Sequence, residues 1–116
     1  MRGAAYLRAL GALVPPPPPG APPPGPFALS APGALERLAQ QADLRPEENT
    51  IVECVWRYPD LDTALRGLLS TGPAIRAVRH SGENAVRLAV IEAIAPFRTA
   101  QGGYRIENTF RYLVAR

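Results

Sequence analysis

The residues in this chain that could do chemistry are few and scattered. His80 is the sole histidine. A general base needs a titration range near neutral pH and a pocket to work in. His80 stands between Arg79 and Ser81 at what reads as a helix end, and the plainer reading, a polar residue in a last turn, suits that place better. Phe27, Trp56 and Tyr58 fall at the ends of extended segments, where open α/β sheets receive ligands. They are candidates to touch a substrate, with simple packing as the competing role. Asp60 and Asp62 could pair as carboxylates, but they open a helix, where acids complement the helix dipole. Glu53, Glu107 and Arg111 could pair across a sheet. Cys54, the single cysteine, excludes an internal disulfide and any multi-cysteine metal site; in an apolar strand it reads as a small buried hydrophobe. No nucleophile–base pair and no metal-ligand spacing emerges. Phe27, Trp56, Tyr58 and His80 therefore stand as substrate-binding candidates, and no catalytic, cofactor-binding or metal-binding residue is assigned.

Two strands would have to position these groups. Residues 49–57 (NTIVECVWR) alternate, with Val52, Cys54 and Trp56 on one face and Ile51, Glu53, Val55 and Arg57 on the other. Both faces carry apolar residues, so the strand is expected to be covered on both sides. Residues 104–115 (YRIENTFRYLVA) place Tyr104, Ile106, Phe110, Tyr112 and Val114 on one face and Arg105, Glu107, Thr109 and Arg111 on the other. Gln101-Gly102-Gly103 reads as the turn before this strand.

Helices fill the rest. In residues 3–14, Tyr6, Leu7, Leu10, Leu13 and Val14 make one apolar face. A helix this short is marginal alone and needs a surface to lie on. Residues 15–26 (PPPPPGAPPPGP) hold most of the fourteen prolines and read as a semi-rigid, polyproline-like spacer. Phe27-Ala28-Leu29 follows as a short extended segment. Ser30 and Pro32 predict the start of a helix reaching Ala42, with Leu35, Leu38 and Ala39 inward. Pro59-Asp60 begins another, with Leu61, Ala64, Leu65, Leu68 and Leu69 as its stripe. Gly72-Pro73 breaks it, and the short helix AIRAVRH follows. Ser81 reads as the cap of a last helix, from Gly82 to about Ala95, with Val86, Val90, Ala93 and Ile94 inward and Leu88 and Ala89 beside them.

Composition narrows the class. A chain of 116 residues is at most one domain, and residues 27–116 must hold most of its core. The net charge is +3, and all thirteen basic residues are arginine, interleaved with ten acids. That scatter does not make a nucleic-acid face, which needs basic residues clustered with base-reading partners. No apolar run is long enough to span a bilayer. In MRGAAYLRALGALV, Arg8 interrupts the apolar stretch and no Ala-x-Ala site precedes the prolines, so the start is not read as a signal sequence. A cytoplasmic location is the expectation.

The wording of three stretches carries a resemblance: PFALSAPGALERLAQQADL (26–44), VWRYPDLDTALRGLLSTGPAIRAVRHSGENAV (55–86) and APFRTAQGGYRIENTFRYLVA (95–115). Together they resemble the C-terminal part of class I S-adenosylmethionine-dependent methyltransferases, in the large bacterial group described as methyltransferase type 11. The resemblance implies an α+β fragment of that α/β fold: an antiparallel strand pair, the last two strands of the sheet, with packed helices. Residues 49–57 would be the sixth strand and 104–115 the seventh. The helices between Asp60 and Ala95 would roof the active site and shape the pocket for a small-molecule substrate. On this reading residues 1–14 are a short N-terminal helix, 15–26 a proline-rich linker, and 27–116 the substrate-lid and sheet-edge part.

The departure from the family is large. Its cofactor, S-adenosylmethionine, sits on a glycine-rich turn after the first strand, with an acidic residue on the ribose. No G-x-G-x-G occurs in these 116 residues, so the chain by itself is not expected to bind the cofactor, and a missing N-terminal half is implied. Asp43 stands where the family usually has the glycine that ends a helix. The competing reading is a non-catalytic interaction module, pairing through an open strand edge with another copy or another chain.

Overall fold

The computed structural model describes residues 4–20 and 27–116. The start of the first predicted helix and residues 21–26 of the proline tract lie outside that set. Among the described residues the architecture is α+β, with five α-helices and one antiparallel pair of strands. In order these are α1 (Ala4–Gly11), α2 (Ala34–Gln41), β1 (Pro46–Tyr58), α3 (Leu61–Leu69), α4 (Gly72–Ser81), α5 (Glu83–Ile94), a 3₁₀ turn at Ala95–Phe97, and β2 (Tyr104–Ala115). β1 is longer than the alternation in 49–57 predicts, and β2 has the bounds 104–115 read from the sequence. The chain divides into two compact units, residues 1–16 with 54–108, and residues 17–53 with 109–116. The division falls inside both strands.

The first unit holds the core. Leu10, Leu65, Leu68, Val86, Val90, Ile94 and Ile106 are its fully buried large side chains. Each such aliphatic stabilises the fold by about 1.5–3 kcal/mol relative to exposure. Ala64, Ala74 and Ala77 are fully buried as well, so α3 and α4 present small side chains where a close approach is needed. The short first helix finds its surface here, because α1 packs on α5 and α4. Its Tyr6 hydroxyl donates to the Leu68 carbonyl at 3.0 Å and touches the Thr71 hydroxyl. Burial is the main cause that raises the Tyr6 phenol above its ordinary value.

The helix starts in this unit follow local chemistry. Asp60 caps α3, its carboxylate accepting from the Thr63 N–H at 2.7 Å. That bond is the first reason its acid is held below the ordinary value. Thr71 caps α4, accepting from Ala74 N–H, and Pro73 lies in the first turn where a missing N–H costs nothing. The expected Ser81 cap of α5 is corrected. Gly82, at φ 87°, occupies that position with no side-chain cap, and the Ser81 hydroxyl donates instead to the Leu13 carbonyl at 2.7 Å. A serine that can satisfy a carbonyl at the frayed end of α1 is drawn to tertiary rather than local use. Leu88, placed beside the inward stripe, is exposed.

The second unit is thinner. Its helix starts at Ala34, behind Gly33 at φ 77°, and Ser30 makes no side-chain cap. Of the three residues predicted inward, only Ala39 is buried, and Leu38 is exposed. The helix ends on Asp43 at φ 58°. Asp43 N–H donates to Gln40 and Leu44 N–H to Ala39, the pairing of a Schellman end with aspartate in the place glycine usually takes. The Glu36 carboxylate accepts from the Asn49 amide, Arg111 donates to the Asn49 oxygen at 3.1 Å, and the Tyr112 hydroxyl donates to Glu48 at 2.9 Å. Arg45 and Arg116 exchange both backbone hydrogen bonds, closing the antiparallel pairing at that end.

Two expectations for β1 fail together. Ile51 and Val52 are exposed, so this part of the strand is not covered on both sides. Cys54 is an exposed free thiol rather than a buried hydrophobe. For Ile51 and Val52 the cause is thin cover: apolar composition on two faces calls for two covering layers, and in the second unit α2 contributes a single buried alanine.

Candidate functional site

Within the first unit, the C-terminal end of β1 and the start of β2 are held side by side by a short turn. Pro59 stops β1, having no N–H to continue the ladder. After the 3₁₀ turn, Arg98 bridges Tyr104 in antiparallel fashion. The Thr99 N–H donates to the Gly103 carbonyl at 2.8 Å, Gly102 N–H to the Thr99 carbonyl at 3.0 Å, and Gly103 N–H to the Thr99 hydroxyl at 3.2 Å. Gly102 takes φ 84°, open to glycine without strain. Gly103 is required for a different reason: a Cβ there would meet the Tyr58 carbonyl oxygen at 2.6 Å.

The result is an open hollow of about 260 Å³, lined by Arg57, Tyr58 and Pro59 from one side and by Thr99, Gln101, Gly103, Tyr104 and Arg105 from the other. Its walls alternate in character. Tyr58, Pro59 and Tyr104 are the apolar residues of the lining, and the neighbouring Arg57 and Arg105 project to the opposite, exposed face of their strands. Arg57 is exposed, and Arg105 pairs along its own strand with Glu107. The edge of the Tyr58 ring lies over Gly67 of α3, and burial raises its phenol above the ordinary value, so the ring stays neutral.

Of the four predicted site residues, the structure places one at this hollow. Tyr58 lines it. Trp56 is partly buried and packs against the core, the packing role weighed against substrate contact. His80 is exposed in the last turn of α4, as the plainer reading had it. Phe27 is exposed in a turn of the second unit, its carbonyl accepting from Ser30 N–H at 3.0 Å. Arg57, Arg105, Thr99 and Gln101 escaped sequence reasoning. Arg57 read as part of a mixed strand face and Arg105 as part of a polar one, and 101–103 read only as a turn; which strand ends adjoin is not written in either segment.

The site does not offer what S-adenosylmethionine needs. Gly103 spends its missing side chain on the contact with β1 and so forms no glycine-rich cradle for the cofactor. The strand-to-helix step at 58–61 has no glycine, and the Asp60 carboxylate already accepts from the Thr63 N–H at the start of α3. Among the described residues no group of three or more His, Cys, Asp or Glu could hold a metal ion, and no helix is long and apolar enough to cross a membrane. No family model, curated protein or solved structure matches the chain.

Proposed function

We propose that this chain supplies the substrate-side, C-terminal part of a class I S-adenosylmethionine-dependent methyltransferase that acts on a small molecule in the cytoplasm. The observation that carries the reading is the antiparallel pairing of Pro46–Tyr58 with Tyr104–Ala115 across an inserted run of three helices, α3 to α5. That is the order and sense required of the last two strands and the lid between them. The hollow at the C-terminal end of β1 supports it too, since ligands of open α/β sheets gather at that end of the strands. The cofactor, when bound, supplies the methyl group, and its contacts come from residues other than these. Tyr58, Pro59 and the 99–105 turn contribute walls that orient the acceptor. Alone, the chain transfers nothing.

The test joins the chain to whatever reading frame is encoded immediately upstream. Titration calorimetry with S-adenosylmethionine is expected to show micromolar binding by the joined protein and none by these 116 residues. A joined protein indifferent to the cofactor, or upstream sequence lacking a glycine-rich strand–turn–helix, overturns the reading. The non-catalytic interaction module then takes its place. One observation favours it: Ile51, Val52, Phe110, Tyr112 and Val114 are all exposed on two strands that, among the described residues, pair only with each other. Unpaired edges of this kind recruit other strands.

A further inference from the structure

We propose that the uncovered side of the strand pair in the second unit is an interface with a second copy of this chain, met face to face. The inference concerns the face of the ribbon and not its edges. It goes beyond the methyltransferase reading and does not rest on it.

Side chains on this part of the two strands sort by charge. Alternation puts Glu47, Asn49, Ile51 and Glu53 of β1 on one side, with Arg111, Leu113 and Ala115 of β2. That side belongs to α2, since the Glu36 carboxylate accepts from the Asn49 amide and Arg111 donates to the Asn49 oxygen at 3.1 Å. The other side carries Glu48, Thr50 and Val52 from β1 and Phe110, Tyr112 and Val114 from β2. The Tyr112 hydroxyl donates to Glu48 at 2.9 Å, which holds these two residues on a common side. Val52, Phe110, Tyr112 and Val114 are all exposed there. Among the described residues of this unit α2 is the sole helix, and it is spent on the charged side.

The charge pattern selects the occupant. Glu48 is the one charged residue on the uncovered side, and its carboxylate already has a donor from its own chain. A partner bringing a cation or a carboxylate against Val52 and Phe110 would bury that charge without a counter-ion, which is unfavourable. The matching surface is another uncharged strand face, and a second copy presents one. In a two-fold contact the same patch meets itself, and Thr50, Val52, Phe110 and Val114 bring no like charges together. Phe110 and Tyr112 supply aromatic anchors of the kind that concentrate interface energy. The ribbon gains as well, because two strands alone are marginal in water and a second sheet about 10 Å away adds a covering layer. The patch is small, so the dimer is weak, half formed at about 0.1 mM.

Sedimentation equilibrium of the full chain, over roughly 0.01–1 mM to bracket that midpoint, reads the association. The average mass is expected to climb toward twice the chain mass as concentration rises. Phe110→Glu and Phe110→Arg are each expected to weaken association by about tenfold or more, because like charges then meet across the two-fold axis. An equimolar mixture of the two is expected to recover it. Circular dichroism checks the fold of each variant, and Val52→Glu with Val52→Arg repeats the test from the other strand should a change at 110 disturb it. Ile51→Glu, also at an exposed position but on the α2 side, leaves the association unchanged. A chain monomeric throughout, or a dimer indifferent to charge at both 110 and 52, overturns the inference. So does failure of both mixtures to recover the dimer. A loss on Ile51→Glu as large as that on Phe110→Glu overturns it too and points to pairing through a strand edge. S-adenosylmethionine is absent from every arm, so failure here and failure of the methyltransferase reading are separate results.

Discussion

One face of β2 has two fates. Tyr104, Ile106 and Asn108 are 7%, 1% and 2% exposed, whereas Phe110, Tyr112 and Val114, next along the same alternation, are 44%, 39% and 41% exposed. Residues two apart on a strand share a face whatever lies against it. Where β2 belongs to the first unit, helices α1, α3 and α5 bring Leu10, Leu65, Leu68, Val86, Val90 and Ile94 to the common core, and α4 adds Ala74 and Ala77. Where it belongs to the second, the one helix contributes Ala39 as its only buried residue. Alternation decides which side chains travel together. Cover is decided by how much helix is present to lie on them.

The largest expected effect tests this contrast directly. Ile106→Ala should cost about 2–5 kcal/mol in urea unfolding, the sum of lost burial and the cavity left behind. Val114→Ala, a truncation on the same strand face, should stay within about 0.5 kcal/mol. Similar costs at both positions would mean that Val114 is covered in solution, and the contrast between the two units would be lost.

Gly103→Ala comes next. Its Cβ would press on the Tyr58 carbonyl oxygen, which is backbone and cannot rotate away, so a loss of about 1–3 kcal/mol is expected. Gly102→Ala probes the same turn by backbone strain alone and is expected to cost less, since only the Arg98 side chain comes near. A neutral Gly103→Ala would show that the strand ends can separate.

Tyr6→Phe asks how firmly the short first helix belongs to the first unit. Losing the bond to the Leu68 carbonyl is expected to cost about 1 kcal/mol, read from the same unfolding curves. The phenol also sets a pH dependence. Burial raises its folded value above the ordinary 10.0. The associated stability is therefore complete below pH 10 and is lost as the pH climbs through the folded value. Tyr6→Phe should flatten that alkaline decline, and an unchanged decline would place its origin elsewhere.

The smallest effect belongs to the second unit. Asp43→Gly relieves a left-handed conformation in a non-glycine residue and is expected to gain about 1 kcal/mol or less, because glycine's own chain entropy opposes the relief. Hydrogen exchange of the amides in α2 should slow. Faster exchange would mean that the aspartate contributes more to this helix end than its backbone strain removes.

The sequence by itself determined the elements and most of the first unit's interior. The stripes Leu61-Ala64-Leu65-Leu68 and Val86-Val90-Ile94 have helical spacing that admits one inward face. The span 104–115 has a clean period of two, bounded by glycines before it. Asp60 after Pro59 marks a helix start because the carboxylate caps the first turn and the proline ends the strand before it. The tertiary structure alone decided what those faces meet. Ser81 donates to the distant Leu13 carbonyl instead of accepting from an N–H at the start of α5, a choice that rests on where the end of α1 lies. Ile51, Val52 and Cys54 have the composition of a covered strand, but cover depends on a second layer whose presence no residue in the strand encodes. Trp56 and Tyr58, two residues apart on one face, both pack against the core, and Tyr58 also lines the hollow. The end of β1 and the start of β2, far apart along the chain, meet because antiparallel pairing and a glycine seated on a carbonyl bring them together.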